Sequence, residues 1–455
     1  MDINLRPNAR TFFRFAIPSV ASMLVYSLYT IMDGIFLAHA VGEYALAAIN
    51  LVLPYINAVF ALAVFFSMGT STVIAFALGR GDGDEANRIF TQNTYVLFVL
   101  SLMLAVLVEV FTEPLARFLG ASGNTIAYVV TYLRIVAPFT FFFMVGYSLE
   151  VLVKTGGHPS VSIVSTLSCF TVNIALHLVL VVWLGFGIAG GAVATVTAQG
   201  VGLAIFLVHF LCKKSNLRFV RLKKLFLGVY GKILSLGLSE FSGEISLALV
   251  VFLFNRAAFR LLGDEGVVSY AVLAYVHNIV VMVMAGVAQG MQPLVGLSHG
   301  ARDAGGCVRY YGYALKTAAA AAVVCFLVCQ LFSEGITALL LERTSAMFAY
   351  TAKALRLFSY SFLFVGFNLC SAGFFNAMER PGRALVISVG RGIVAITASM
   401  YLMSALFGAR GLWLATPVSE AIVLAVNIAL VFTLFFRNSA LRQTKNAPAS
   451  QAKAE

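Results

Sequence analysis

Charge is what this sequence has least of. Lys, Arg, Asp and Glu make up 11% of its 455 residues, where a soluble domain carries roughly 25%. With 60% hydrophobic residues, a chain in water could not cover its surface with polar groups. A soluble globular fold is excluded. Cysteine is scarce too. The six, Cys169, Cys212, Cys307, Cys325, Cys329 and Cys370, include no C-x-x-C pair, so they read as small packing residues rather than metal ligands. The short alternating pattern of a membrane barrel is missing. No basic face with interleaved aromatics lies outside the apolar runs, so the net charge of +12 does not mark a nucleic-acid partner. No cleavable leader is expected, because Asp2–Arg14 is polar and basic and the first apolar run is too long for one.

What is there is a series of apolar runs, each long enough to cross a bilayer, which takes about 20 residues. The expected spans are 12–37, 47–76, 92–112, 128–153, 161–184, 188–212, 232–258, 268–297, 312–333, 353–377, 384–407 and 411–436. Backbone in lipid must satisfy its own hydrogen bonds, so each is a helix. The predicted fold is an all-α polytopic membrane protein of twelve transmembrane helices in two pseudo-symmetric six-helix bundles.

Lys and Arg set the orientation. With the N-terminus inside, about 23 basic residues fall on the inner side, Lys154 and Arg391 among them, and about 8 on the outer. Both termini are therefore expected to be cytoplasmic. The basic stretch near the middle reads as a solvated linker touching anionic lipid. The expected layout is an N-terminal lobe over 1–212, a linker over 213–231, a C-terminal lobe over 232–436 and a disordered tail over 437–455.

The two lobes repeat. Gly69, Gly79, Asp82 and Arg88 become Gly290, Gly300, Asp303 and Arg309 at a shift of about 221 positions. Phe186, Gly187, Gly190, Ala194 and Thr195 become Phe407, Gly408, Gly411, Ala415 and Thr416 at the same shift. Leu133-Arg134 and Pro159 reappear one position later, as Leu355-Arg356 and Pro381. An even number of spans per half gives the halves one orientation, with a pathway between them.

These residues, with Tyr29-Thr-Ile-Met-Asp33, Asn173-Ile-Ala-Leu-His177, Gly290-Met-Gln-Pro293 and Phe407-Gly-Ala-Arg-Gly-Leu-Trp413, resemble the multidrug and toxic compound extrusion (MATE) family, and its MepA-like branch. The resemblance implies a secondary antiporter. Amphipathic, often cationic, organic compounds leave in exchange for protons or sodium by alternating access. It implies no cofactor beyond the coupling ion, a monomer in the cell (inner) membrane, and no enzymatic activity. The alternative within transport is a lipid-linked oligosaccharide flippase of the same superfamily, disfavoured by the few arginines placed mid-span. A membrane-embedded enzyme is the alternative from another class. Its one acidic group, Asp82 to Glu85, reads more simply as a turn with helix capping. Asp82–Arg88 and Asp303–Arg309 could also act as latches.

Polar groups in the spans are the candidate sites. Asp33 lies inside an apolar helix, roughly 6 Å from its outer end, and an intramembrane carboxylate marks an ion or substrate path. Asn173 and His177 share one face at i, i+4, and Thr195 falls at similar depth. The resemblance makes Asp33, Asn173, His177 and Thr195 a cation or proton site. Many relatives carry a second acid where His177 stands. Histidine titrates near physiological pH, so protons are expected to couple rather than sodium. It could equally be a neutral hydrogen-bond donor. For substrate, Glu244 and Glu420 are candidates, with Glu240 one turn before Glu244. The amides Gln289, Gln292 and Asn368 could bind substrate or simply join helices. Tyr26 and Tyr29, with Phe139 to Phe143, could line an aromatic pocket for cations.

Overall fold

A computed structural model describes residues 7–41, 43–121, 123, 125–212, 215–222, 226–345 and 347–437, with side chains except at 29–41, 43–47, 248, 264 and 435–437. Among these residues the chain is helical, with no strand. Twelve helices are long and apolar enough to span a membrane. They are α1 (Ala9–Val41), α2 (Glu43–Gly79), α3 (Gly83–Val110), α4 (Ile126–Thr155), α5 (Pro159–Trp183), α6 (Gly187–Leu211), α7 (Leu227–Leu262), α8 (Asp264–Gly300), α9 (Ala304–Ala338), α10 (Phe348–Ala377), α11 (Pro381–Phe407) and α12 (Ala409–Arg437).

The repeat seen in sequence is also a repeat in backbone. Asp82 caps α3 by accepting from Glu85 N at 2.9 Å, and Asp303 caps α9 by accepting from Gly306 N at 2.8 Å. Each carboxylate thereby meets an orphan N–H of a first helical turn. Neither forms an ion pair with Arg88 or Arg309, so the expected latches are caps instead. Arg80 pairs with Glu85. Just before each cap the chain turns through a left-handed residue, Gly81 in one half (φ 81°) and Arg302 in the other (φ 59°). The α4–α5 turn does the same at Gly157 (φ 92°), and the α10–α11 turn at Glu379 (φ 53°). A 3-10 turn at Ala137–Phe139 in α4 matches one at Ser359–Ser361 in α10. Pro138 lies in the first, but Tyr360 stands at its place in the second, so proline is not what makes the turn.

The chain divides into two compact units inside α1 and α7, rather than at the basic linker. Ala21–Gly237 form one unit, and the described residues up to Val20 join those from Leu238 onward in the other. Glycines explain the exchange. In the first unit α7 crosses α2 so closely that a methyl added at Gly69 would lie 2.0 Å from Ile233 O, and one at Gly237 1.9 Å from Phe65 O. In the second, α1 crosses α8 the same way. A methyl at Gly290 would lie 2.6 Å from Ala16 Cα, and one at Gly286 2.5 Å from Val20 Cα. Phe12, Phe15 and Ala16 are buried with the α8–α9 core, and Val229, Ile233 and Leu236 with the α2–α3–α4 core.

The linker is not a solvated strap. Residues 215–222 lie on the first unit. Leu217 is fully buried and the Phe219 ring packs 4.7 Å from Phe90. Backbone groups of the linker are met by side chains of α3. Arg218 N donates to Asn87 Oδ1 at 2.7 Å, Val220 N to Thr91 Oγ1 at 3.0 Å and Phe226 N to Gln92 Oε1 at 2.8 Å. Gln92 Nε2 returns a bond to Phe226 O at 3.3 Å. A bond of this kind is worth about 1 kcal/mol net. Gln92→Ala should therefore raise the rate of tryptic cutting at the exposed Arg218 and Arg221 by about tenfold. Cutting at the wild-type rate would mean that these bonds do not hold the linker.

Candidate functional site

In the first unit, α5 changes its winding where the candidate histidine stands. Pro159–Leu176 is α-helical and His177–Trp183 is π-helical. A π segment widens one turn and is frequent at functional sites. Asn173 and His177 are 1% and 0% exposed. His177 Nδ1 donates to Asn173 O at 3.0 Å. A carbonyl only accepts, so Nδ1 carries the hydrogen and Nε2 is left as the nitrogen that can gain or lose a proton. Thr195 is buried on α6. The α5–α6 contact is tight, since a methyl at Gly202 would come 2.5 Å from Cys169 Sγ. The side chains of Asp33 and Tyr29 lie outside the described residues. Three of the four members of the expected cation site are thus placed, all on α5 and α6.

Tyr26 stacks on Phe60 with centroids 6.1 Å apart, and Phe60 also meets Phe143 at 6.0 Å and Tyr147 at 5.2 Å. Phe143 is the member of the expected 139–143 run that joins Tyr26. Phe141 and Phe142 pack on each other instead. The first unit also buries an ion pair. Lys154, 3% exposed, stands 3.0 Å from Glu150 Oε1. Glu150 further accepts from Ser162 Oγ at 2.8 Å, and Ser162 meets Ser22 at 3.1 Å. The Glu-to-Lys i, i+4 order that favours such a pair was visible in the sequence, but Lys154 was counted there as a solvated inner charge.

The second unit spends its polar groups unevenly. Glu240 on α7 accepts from Gln292 Nε2 at 3.2 Å and Asn376 Nδ2 at 3.0 Å. Asn376 also donates to Ser239 Oγ at 2.6 Å. Glu420 on α12 accepts from Asn368 Nδ2 at 2.8 Å through Oε2, and from Arg391 Nε at 2.5 Å through Oε1. Asn427 Nδ2 closes on Asn368 Oδ1 at 3.4 Å. Glu244, half-buried one turn after Glu240, has no hydrogen-bond partner among the described residues. Gln289 is half-buried on α8. Arg391 lies ten residues into α11, within the π-helical Gly390–Ala395, and not at the inner edge where its count in the charge balance put it. Both π segments fall in the fifth helix of a half, one opening on His177 and the other holding Arg391. Asn376, Asn427 and Arg391 were missed in sequence because their partners lie far along the chain. Among the described residues no three His, Cys, Asp or Glu side chains group as metal ligands do.

Twelve spanning helices in two repeated sets, each enclosing buried charge, define a polytopic membrane transporter fold. The MatE family model matches residues 18–179 and 243–402, and the chain belongs to that family. Among curated relatives it is similar to the multidrug export protein MepA of Staphylococcus haemolyticus, 24% identical over 432 residues and 93% of each chain. The MepA of Staphylococcus aureus strain NCTC 8325 is 23% identical over 94% of each. Among solved structures it is similar to an outward-facing MATE family transporter of the MOP superfamily, with TM-score 0.90, 21% identity and coverage of 97% and 98%. A MOP superfamily transporter from Pyrococcus furiosus, described as having a binding pocket of reverse polarity, gives TM-score 0.87 at 20% identity, covering 96% and 97%.

Proposed function

We propose that this chain is a proton-coupled antiporter of the cell membrane, with both termini cytoplasmic, that expels amphipathic organic cations. The observation that carries the coupling ion is His177. It is buried in a spanning helix, and its Nδ1 is committed to Asn173 O. With the hydrogen on Nδ1, a second proton on the ring would go to Nε2, and a histidine is a poor ligand for sodium, which prefers oxygen. Asp33, on α1, is its proposed partner in taking the proton, with Asn173 and Thr195 completing the polar surround.

The substrate's charge falls to Glu244. Of the carboxylates Glu240, Glu244 and Glu420, Glu420 already has Arg391, and Glu240 has two amides. Glu244 is left to meet the charge of an organic cation. Gln292 and Asn368 act in this reading by holding Glu240 and Glu420.

The test is purified protein in liposomes loaded with a fluorescent cation. Efflux should follow an imposed pH gradient, stop in Asp33→Asn, and show a KM about tenfold higher in Glu244→Gln, the loss of one charge-assisted contact. Efflux driven by sodium alone at equal pH would reject the proton reading. An unchanged KM in Glu244→Gln would reject the carboxylate.

A further inference from the structure

Lys154 is charged, almost fully enclosed, and held by one carboxylate of its own helix. Its side chain is 3% exposed, and Nζ lies 3.0 Å from Glu150 Oε1. Among the described residues no acceptor is aligned with any of its N–H groups. An ammonium is a compact point charge. Here it is held by charge alone, as a metal ion would be, rather than by directed hydrogen bonds. Glu150 Oε1 takes a second contact. It accepts from Ser162 Oγ at 2.8 Å, and Ser162 Oγ stands 3.1 Å from Ser22 Oγ. The hydrogen of Ser162 is committed to Oε1, so Ser22 donates to Ser162.

These atoms come from α1, α4 and α5, all within the first unit. A carboxylate with hydroxyls beside it is the oxygen set that suits a hard cation, which commonly keeps some water as well. Ser22 and Ser162 are fully enclosed, while Glu150 keeps 18% of its side chain exposed, enough for water to complete a shell. The cluster is separate from the one at His177. Ser162 precedes Asn173 on α5 by about 16 Å along the helix axis, and Glu150 lies near the Thr155 end of α4. Without Lys154 the carboxylate would be a largely enclosed negative charge lacking a counter-charge. That is strongly unfavourable, and a free cation of small radius would relieve it.

We propose that Glu150, Ser162 and Ser22 form a monovalent-cation site, and that Lys154 fills it from within as a tethered ammonium. The three helices are thereby fastened without a metal ion, whatever the sodium or potassium concentration. The experiment is thermal unfolding of the detergent-purified full chain in sodium, potassium or choline chloride at equal ionic strength. Choline is too large to enter. Lys154→Met removes the ammonium and keeps most of its length. The midpoint in the better of sodium and potassium, minus that in choline, should be about 3 °C or more larger in Lys154→Met than in wild type. Reading this difference against wild type cancels any ion bound elsewhere. In Glu150→Gln/Lys154→Met, which leaves no bare charge, the difference should return to the wild-type value. A purely structural ion pair would make Lys154→Met melt lower by the same amount in all three salts, and that result overturns the site. So does an enlarged difference that survives the loss of Glu150. A Lys154→Met chain recovered in no salt, while the double variant is recovered, would show that no free cation replaces the ammonium. A double variant that is not recovered would show that Lys154 does more than neutralise Glu150. Either result overturns the proposal.

Discussion

Glu420→Ala should lower the stability of the second unit by about 3 kcal/mol or more, because it strands the guanidinium of Arg391 without its counter-charge. The Glu420 side chain is 4% exposed, so water cannot replace it. Asn368 Nδ2 would lose the Oε2 acceptor at the same time and keep only the backbone oxygen of residue 420. The measurement is thermal unfolding of detergent-purified protein followed by size exclusion. Removing both charges, as Arg391→Gln/Glu420→Gln, should recover most of the loss, since a buried ion pair contributes little net stability over a neutral replacement. A Glu420→Ala protein that melts with wild type would mean that the pair is open to water.

Gly69→Ala and Gly237→Ala should each prevent normal accumulation of folded protein, at a cost of about 3 kcal/mol or more. The added methyl at either site meets a backbone oxygen, at 2.0 Å and 1.9 Å. No rotamer change can relieve such an overlap, so the helices must part. Gly290→Ala should do the same where α1 crosses α8. Gly231 supplies the control. It lies on α7 two residues before Ile233 and has nothing within 4 Å of a built methyl, so Gly231→Ala should be neutral or gain about 0.5–1 kcal/mol from helix propensity. Equal yields of all these variants, read as monodisperse fluorescence after membrane extraction, would show that the close crossings do not exist.

How much of this was legible in the sequence depends on how far apart the participants lie. Asn173 and His177 could be set on one face by counting, because i, i+4 spacing is a local property of a helix. The cap at the Asp82–Glu85 turn was readable for the same reason, while Asp303 was read as a latch and proved to be a cap. Glu420, Asn368 and Arg391 come from three helices, and no spacing rule joins positions 23 to 52 residues apart. Counting Lys and Arg for orientation treats each as solvated, which holds for loops and fails for Lys154 and Arg391, whose carboxylate partners keep them in a span. The basic linker misled in the opposite way. Its side chains are polar, but its backbone is held by Asn87, Thr91 and Gln92, and composition is silent about where a backbone N–H goes.

The sequence by itself determined the solvent, the number of spans and the two-fold repeat. Each of these is a sum over about 20 neighbouring residues or a comparison of such sums, so no distant contact can change it. The tertiary structure decided which charges are already answered and which remain available. Glu420 is answered by Arg391 and Asn368, Glu240 by two amides, and Glu244 by none among the described residues. That division depends on how helices far apart in sequence cross within each unit. In a medium of low polarity a paired charge is scaffold, while an unpaired one seeks a ligand or a proton.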